Sequence, residues 1–383
     1  MKKIKTALVL ASVIVMYEFP AWAEGENKNL AEVLKTMGKV YSDGDDPTIQ
    51  EVKLFGRLHY QWNHSDGDSN GEDFSGNGDE LRRLRAGASV KFLDRFTALG
   101  RLNLEKGGHR NTSIGYSSFD ELYLESSQKN LFGFDSAKIG YGRYKVRLGG
   151  EEHESSKRIK TIERSNINNR FGSIRPTGLL LQGEKNGTNI IAGVFSTKRD
   201  RETWSQWDGG TAFYASIERE ALEGNVIVDF IHANDSSNDQ TIFDYNWATS
   251  LTYTRSFEKI DFFANVTYSD TEDGDIYGFV LMPSTYIIDD KLEAVARYQW
   301  GQATTDGAVP RSSSSRGLRR AARNDGLSTG GGDDNHTLYA GLNYYLEGHY
   351  LKIMTGIEYE KINGNIDRDL SGYTFWTALR TYF

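Results

Sequence analysis

Basic side chains alternate with apolar ones in residues 80–92, which read ELRRLRAGASVKF. Arg83, Arg85 and Lys91 occupy odd positions, whereas every even position from 84 to 92 is apolar. Guanidinium groups bind phosphate and carboxylate oxygens through paired hydrogen bonds, and lysine binds them as a point charge. These residue types at this spacing indicate one face suited to binding anions. Arg82 interrupts the alternation near the end of the segment, and we expect its side chain on the apolar face, within reach of a lipid headgroup.

Basic residues of the same parity continue into the neighbouring segments. Lys53 and Arg57 precede residues 80–92 and Arg101 follows them, each alternating with apolar residues. A register that brings Arg57 and Arg101 beside Gly87 leaves room for both guanidinium groups, because glycine has no side chain. The predicted basic stripe comprises, from top to bottom, Arg83, Arg85, Arg57, Arg101, Lys91 and Lys53.

Strands must position these residues, since successive strand side chains point to opposite faces. Alternating segments of about ten residues, separated by turns, recur along the chain and are typical of a transmembrane β-barrel. The composition of 40 Gly, 21 Tyr, 19 Phe and only 5 Pro agrees with many short strands, and a helical period is nearly absent after residue 50. Two soluble domains, the usual expectation at this length, are therefore disfavoured. We predict an all-β fold, a transmembrane antiparallel barrel of about 16 strands. The predicted strands are 52–63, 80–92, 96–106, 119–127, 137–146, 173–184, 187–197, 210–220, 223–234, 244–256, 259–269, 276–287, 291–301, 336–346, 349–361 and 371–383.

The connections between these strands alternate in length. Tight turns such as Lys185-Asn186 alternate with longer loops, the longest of which are 64–79, 147–172 and 302–335. Short periplasmic turns and long external loops are typical of outer-membrane barrels, with both chain ends in the periplasm.

The N-terminus has the features of a secretory signal peptide, predicted at 1–23. Lysines precede an apolar run, and Ala21-Trp22-Ala23 supplies a cleavage motif. In the following periplasmic segment, 24–50, apolar residues from Leu30 to Tyr41 recur at helical spacing and predict a short amphipathic helix. The barrel then occupies 51–383. The chain has no cysteine, so disulfides and thiolate chemistry are excluded, and a net charge of −8 argues against a nucleic-acid partner.

Several stretches resemble the family of phosphate- and polyphosphate-selective porins. They are FGRLHYQW from Phe55, ELRRLRAGASVKF, FDELYLES, AKIGYGRYKVRLGGEE, IERSNINNRF and GLNYYLEGHYLKIMTGIEYEKI at 341–362. The resemblance implies a sixteen-stranded barrel that forms a homotrimer in the outer membrane of a Gram-negative bacterium. It also implies a third external loop, here 147–172, that folds into the lumen. The basic residues expected at its constriction are Lys157, Arg158, Lys160, Arg164 and Arg170.

The favoured function is passive diffusion of small anions, phosphate or phosphate esters above all, without catalysis or a cofactor. A general diffusion porin with little charge selectivity stays open, because inward acids such as Glu121 and Glu125, or Glu105 nearby, would neutralise the stripe. An outer-membrane hydrolase is a third class. The G-x-S-x-G pattern at 67–71 lacks the strand–turn–helix context of a nucleophile, and no catalytic residue is predicted.

Two loops carry further charged motifs. The seventh loop contains an arginine cluster that suits an electrostatic funnel at the channel mouth, or equally a loop contacting lipopolysaccharide phosphates. Its members are Arg311, Arg316, Arg319, Arg320 and Arg323. In the first loop, Asp66, Asp68 and Asn70 match the start of an EF-hand loop, but Asn77 stands where calcium needs a bidentate Glu. An acidic, glycine-rich turn is therefore favoured over a calcium site.

Overall fold

The computed structural model describes residues 30–106, 113–172, 174–198, 210–234, 241–272, 274–311, 316–329, 331–364 and 369–383. The predicted signal peptide lies outside the described residues. The chain begins with helix α1 (Leu30–Thr36) and a short strand β1 (Lys39–Ser42). Sixteen barrel strands follow: β2 (Ile49–Ser69), β3 (Glu72–Phe92), β4 (Phe96–Glu105), β5 (Ile114–Lys129), β6 (Ser136–Arg143), β7 (Thr177–Lys185), β8 (Thr188–Ser196), β9 (Thr211–Ala221), β10 (Gly224–Ala233), β11 (Trp247–Phe257), β12 (Ile260–Thr271), β13 (Gly274–Ile288), β14 (Leu292–Ala303), β15 (Asp334–Tyr345), β16 (Leu351–Asn363) and β17 (Leu370–Tyr382). The helices between strands are α2 (Gly150–His153), α3 (Asn166–Gly172) and α4 (Gly317–Asn324).

The sixteen strands β2–β17 form a closed antiparallel barrel, as predicted. Each strand pairs with its neighbour in sequence, and β17 closes the ring against β2, with Tyr382 opposite Arg57 and Ser371 opposite Asp68. Closure leaves no strand edge unpaired in the bilayer, where water cannot satisfy backbone groups.

The barrel has its apolar residues outside and its polar residues inside. Leu251 and Val266 are more than half exposed on the outer wall, whereas Arg297 and Lys352 are buried within the lumen. The main apolar core is also internal, because residues of the third loop such as Leu148 and Phe171 pack with Tyr245, which precedes β11, and with wall residues such as Ile231. None of the helices among the described residues has the length and apolar character needed to cross a bilayer.

The first external connection is much shorter than predicted. Residues 64–79 were expected to form a long loop, but β2 and β3 extend to Ser69 and Glu72. The connecting Asn70 and Gly71 both have positive φ angles of 56° and 86°, which suits the tight turn of a two-residue hairpin. This part of the hairpin extends above the membrane, where a strand does not need an apolar face. Its polar sequence was therefore interpreted as a loop.

The N-terminal helix is also shorter than its apolar spacing predicts. It ends at Thr36, and Tyr41 lies in β1, which pairs with the start of β2. The lower part of β2 extends beyond the end of β17, so its backbone groups need another partner. Strand β1 supplies one, with Leu54 N donating to Gly38 O at 2.7 Å.

Register shifts interrupt the inward–outward alternation at several places, and two of them are bulges that turn a charged residue into the lumen. The register shifts between His59 and Tyr60 opposite Arg83 and Leu81, which leaves Arg82 as an extra residue in β3. Arg82 therefore turns inward, where its Nε lies 2.6 Å from Glu163 of the third loop, and the predicted contact with a lipid headgroup is wrong. Because a bulge adds one residue to one strand, strict parity cannot place the side chains around it.

A second bulge lies between β4 and β5. Arg101 pairs with Glu121 and Leu102 with Phe119, so Asp120 is the extra residue. Its side chain also points into the lumen and is 2% exposed. Strand parity does not predict this inward acid, because it assigns only the odd positions of that strand to the lumen.

Candidate functional site

The third loop crosses the lumen and is held to the wall by polar contacts. At its start, Gly149 N donates to Asp229 Oδ2 of β10 at 3.1 Å. Further along, Lys352 Nζ of β16 donates to Ile159 O at 2.8 Å. Asn166 N then donates to Gln299 Oε1 of β14 at 2.6 Å. The loop implied by the resemblance is therefore inside the barrel, and strands on both sides of the lumen hold it.

The loop separates two chambers in the lumen. A chamber of about 640 Å³ lies on the external side, since residues of the seventh loop such as Arg311 and Arg316 line it. A second chamber of about 570 Å³ is lined by the periplasmic turn residues Glu223 and Gly224. The external chamber and the periplasmic chamber share three lining residues of the third loop, namely Arg147, His153 and Glu154.

The two chambers differ in charge. The external chamber is lined by thirteen basic and five acidic side chains, a formal excess of eight positive charges. The periplasmic chamber has four basic and five acidic side chains. The basic residues of the external chamber are Arg57, Arg82, Arg83, Arg85, Arg101, Arg143, Lys145, Arg147, Arg164, Arg170, Arg175, Arg311 and Arg316.

Four residues of the predicted stripe line the external chamber, but two do not. Lys53 and Lys91 lie near the periplasmic end, where both contact Glu51 at 2.6 and 3.6 Å. Their side chains are 46% and 59% exposed. The stripe is therefore shorter than predicted, because an acid on the same face of β2 holds its two lowest members.

The register across β2 and β3 differs from the predicted one. Arg57 lies opposite Arg85, while Gly87 lies opposite Phe55 and Arg101. A Cβ at Gly87 would overlap the Phe55 ring. The space beside this glycine therefore accommodates an aromatic ring and not the Arg57 guanidinium.

A single buried acid neutralises part of the stripe. Asp120 lies 3.0 Å from Arg85, 2.6 Å from Arg101 and 3.1 Å from Arg175. Arg101 also pairs with Glu121. Such pairing was the alternative expectation for this wall.

The two remaining predicted acids, Glu125 and Glu105, bind groups other than the arginines of the stripe. Glu125 lies 3.4 Å from Lys138, and Glu105 accepts a hydrogen bond from Leu84 N at 3.1 Å. Neither contacts the arginines of the stripe through a hydrogen bond or ion pair among the residues that the structure describes.

The basic residues of the third loop do not form one ring. Arg164 and Arg170 line the external chamber, whereas Arg158 and Lys160 line the periplasmic one. Lys160 is held by Asp261 at 2.8 Å and Glu293 at 3.0 Å. Charge from this loop is therefore distributed along the pore axis.

Lys157 of the third loop lies against an aromatic ring. Its Nζ is 4.2 Å from the centre of the Tyr382 ring. Burial, together with the positive charges of Arg57 and Arg101, lowers the pKa of Lys157 to about 8. The charge of this ammonium group therefore changes within an accessible pH range.

The seventh loop folds into the channel entrance. Leu318 of α4 is buried and packs against Phe74 of the first hairpin. Arg316 is buried and lies 3.3 Å from Glu80 and 3.8 Å from Glu163. Packing of α4 therefore draws part of this cluster inward, and the funnel at the mouth stays a prediction.

The other arginines of this loop differ in burial. Arg319 is buried and donates to Thr329 O at 2.7 Å. Arg320 is half-buried and donates to Asp79 O at 3.1 Å, and Arg323 alone of the four from Arg316 onward is exposed.

The first hairpin does not gather metal ligands. Asp68 Oδ1 accepts a hydrogen bond from Gly71 N at 3.0 Å, and Asp66 lies 2.9 Å from His64. Asn70 is a turn residue. No group of three or more His, Cys, Asp or Glu side chains that could hold a metal ion occurs within the described ranges.

Comparison with known proteins connects this architecture to a family. The model of the family described as phosphate-selective porin O and P matches residues 52–254, just over half of the chain. No curated protein matches the sequence.

Solved structures share the fold at low sequence identity. The outer-membrane channel DcaP of Acinetobacter baumannii is 11% identical, with 90% of this chain and 100% of that chain covered and a TM-score of 0.55. OprB of Pseudomonas putida is 10% identical, with 88% and 95% covered and a TM-score of 0.57. OmpF of Salmonella typhi, in complex with daunomycin, is 12% identical, with 90% and 100% covered and a TM-score of 0.58.

Proposed function

This chain belongs to the family of phosphate-selective porins O and P and is an outer-membrane porin of a Gram-negative bacterium, and from that premise we propose that small anions are its preferred solutes. The family and the structural neighbours indicate a channel and not an enzyme. Solutes would cross by passive diffusion through the external chamber, past the third loop and into the periplasmic chamber.

The observation that carries this proposal is the charge of the external chamber. Its formal excess of eight positive charges lies in a confined space of about 640 Å³. Low-dielectric walls focus such a field and raise the local concentration of counter-ions. Anions therefore accumulate in the external chamber, whereas cations are repelled from it.

Phosphate and phosphate esters are the favoured solutes for a geometric reason. A guanidinium group presents its donors in a planar fork that fits two phosphate oxygens, and twelve arginines line this chamber. Several sites in series also let an ion bind and still leave, as conduction requires.

A general diffusion porin is the second candidate, and two observations favour it. Asp120 already binds three arginines of the wall. The periplasmic chamber has no excess of positive charge. If these acids dominate, the channel would pass small polar solutes of either charge.

A reversal potential in a planar bilayer separates the two candidates. Under a KCl gradient, an anion channel gives a potential near the chloride limit, and added phosphate then reduces the chloride current. The triple variant Arg57→Gln, Arg85→Gln, Arg101→Gln should lose both effects. A wild-type potential near zero, or on the potassium side, without block by phosphate, would instead establish the general porin.

The matched control is Arg255→Gln. Arg255 lines the periplasmic chamber and pairs with the exposed Glu223. The substitution removes one positive charge from the lumen but none from the external chamber, and it is compared with each of the three single substitutions as well as with the triple variant. We expect it to leave phosphate block unchanged.

We further propose that the porin is a homotrimer and that residues 1–23 are removed on export. The family resemblance supports the first proposal and the cleavage motif supports the second. Native mass spectrometry of the purified protein in detergent tests both, since it reports the subunit mass and the number of subunits. A monomer, or a subunit that retains all 383 residues, would contradict the respective proposal.

A further inference from the structure

A groove of about 630 Å³ crosses the outer wall of the barrel between β12 and β17. No charged side chain is among the described residues that line it. Its centre consists of short side chains, since Pro283, Ala294, Ala296 and Ala340 all line it and Ala296 lies opposite Ala340. Neighbouring strands thus bring several short side chains together at one place on the apolar wall.

Larger apolar side chains border these short ones. Toward the external side lie Leu281 and Leu338, which are 38% and 55% exposed, and toward the periplasmic side lies Tyr344, which is 44% exposed. At the far end, Ile357 and Phe375 lie opposite each other and line the groove. The groove is therefore a bounded recess and not a flat part of the wall.

Pro283 recesses the backbone at the same place. The pairing of β13 with β14 stops after Leu281 and resumes at Ser284. Proline has no N–H group to donate to a ladder, and a closed barrel offers no free edge on which that loss would be harmless. The interruption coincides with the centre of the groove, so the backbone and the side chains both contribute to its depth.

The groove lies in the periplasmic half of the membrane-spanning wall. Strand β14 begins at Leu292 and contributes Ala294 and Ala296 to the lining. Ile260, the first residue of β12 after a periplasmic turn, also lines the groove. The hydrocarbon at this depth belongs to the periplasmic leaflet, which in an outer membrane consists of phospholipid.

Aromatic rings on the same strands indicate that this part of the wall faces lipid. Toward the external ends of β13 and β14, the ring centres of Tyr277 and Trp300 are 5.7 Å apart. Phe279 lies 5.8 Å from both Trp300 and Tyr298. Such rings form the girdle of a barrel at the level of the lipid headgroups. A lipid chain, and not a second subunit, is therefore the expected neighbour of the groove.

A lysine lies at the periplasmic end of the groove. Lys259 precedes Ile260, and its backbone O accepts a hydrogen bond at 2.7 Å from Oγ1 of Thr285, another lining residue. The Lys259 side chain is exposed and has no ion pair within the described part of the chain. A lysine at the edge of an apolar surface can reach the headgroup level and bind a lipid phosphate. Glu258 and Asp290 are exposed in the adjacent turns, which favours a headgroup that also carries an ammonium group.

We propose that this groove binds one acyl chain of a phospholipid of the periplasmic leaflet, with the lipid phosphate at Lys259. In hydrocarbon, packing and not the hydrophobic effect selects one position over another, and short side chains permit close approach. A headgroup with a phosphate and an ammonium group, such as phosphatidylethanolamine, complements the lysine and the acids of the turns. The site lies on the outer wall and is independent of the ion selectivity of the lumen.

Native mass spectrometry tests the groove. The porin is reconstituted in phosphatidylethanolamine vesicles and released in mild detergent, and the fraction of subunits that retain a lipid is measured. The double variant Ala296→Leu, Ala340→Leu fills the groove with apolar side chains that face lipid, so the barrel should fold and lose the retained lipid. The matched control is Ala192→Leu, at an exposed position of β8 on the opposite part of the wall. Equal retention in the wild type and the double variant would overturn the site.

Photochemical labelling of the wild type locates the lipid without any substitution. A phosphatidylethanolamine with a photoreactive group in its acyl chain should label peptides of β13–β16 more strongly than peptides of β7–β9. Even labelling around the outer wall would refute a discrete site. Protection of the β13–β16 peptides from the probe would assign the groove to a second copy of the chain and would equally refute it.

Lys259→Gln tests the position of the headgroup. Loss of one lysine near a lipid surface should reduce retention about fivefold. Lys185→Gln is the control, because Lys185 is exposed at the periplasmic end of β7, away from the groove. Retention that is equal in Lys259→Gln and Lys185→Gln would overturn the assignment of the phosphate to Lys259.

Discussion

At the scale of single residues, Asp120 offsets part of the positive charge of the external chamber. It is buried and contacts three arginines from β3, β4 and the segment after α3. The carboxylate both offsets positive charge and holds the guanidinium groups in place. Loss of this carboxylate should therefore increase anion selectivity but decrease the stability of the barrel.

We predict that Asp120→Asn increases anion selectivity and destabilises the barrel. The formal excess in the chamber rises from eight to nine positive charges, since five acids become four. Removing one partner of a buried charge pair costs about 3–5 kcal/mol. Reversal potentials should move toward the chloride limit, and urea unfolding in detergent should occur at a lower midpoint.

The control for this prediction is Glu125→Gln. Glu125 contacts Lys138 and does not line the external chamber. Its substitution should leave the reversal potential unchanged. A shift as large as that of Asp120→Asn would mean that total charge, and not position, sets selectivity.

Lys157 predicts a pH dependence of selectivity. Its pKa is lowered from 10.5 to about 8 by burial and by neighbouring positive charges, Arg57 first. The group is charged below that pH and neutral above it, so the channel loses one positive charge as the pH rises. Anion preference should therefore be stronger at about pH 7 than at about pH 9.

Reversal potentials at these two pH values measure the effect. Lys157→Met removes the titrating group but retains a side chain that can pack on Tyr382. The variant should show the weaker selectivity at both pH values. An equal pH step in the variant would assign the titration to another group.

At the scale of elements, Glu163 joins three parts of the structure. It lies in the third loop, contacts Arg82 of the β3 bulge at 2.6 Å, and lies 3.8 Å from Arg316 before α4. The third and seventh loops are thereby connected through one buried carboxylate. The position of the third loop depends on this contact as well as on its hydrogen bonds to the strands.

We predict that Glu163→Gln loosens the third loop. Arg82 and Arg316 would lose a buried counter-charge, which costs about 3–5 kcal/mol. The single-channel current should become noisier, and external protease should cleave the third loop faster than in the wild type.

Asp261→Asn is the matched comparison. Asp261 also binds the third loop, through Lys160, but its side chain is 50% exposed. Exposed ion pairs contribute about 0–1 kcal/mol. If both variants behave alike, burial of the contact is not what holds the loop.

For the whole molecule, the charge difference between the chambers predicts rectification. Anions leaving the positive external chamber enter a periplasmic chamber without positive excess. When the field drives anions in that direction, salt accumulates where the chambers meet and conductance rises. The opposite polarity depletes the same region, so we expect the larger current when the external side is negative.

Orientation in the bilayer must be known to test this prediction. The chain has no cysteine, so Asp325→Cys after α4, an exposed external position, provides a unique site for a membrane-impermeant thiol reagent. Single-channel currents at both polarities then give the ratio. A symmetric current, or the larger current at the other polarity, would contradict the assignment of the chambers.

The barrel could be predicted from the sequence because its signal is local. Alternation within about ten residues indicates which face of a strand meets lipid and which meets water. The lengths of the connections indicate which end of the barrel is periplasmic and which is external. The same rule placed Arg57, Arg83, Arg85 and Arg101 inside, as the structure confirms. It failed at Arg82 and Asp120, because a bulge changes the face of a residue without changing local composition.

The sequence by itself determined the closed barrel, its polar interior and the basic character of one wall, because each depends on side-chain type and period. Only the tertiary structure decided which charges meet. Asp120 binds arginines from three other segments, Arg316 is drawn in by packing of α4, and Glu51 retains Lys53 and Lys91 at the periplasmic end. Except for Glu51 with Lys53, these pairings join residues that are distant in sequence, and their geometry depends on register and loop folding, which no local pattern encodes.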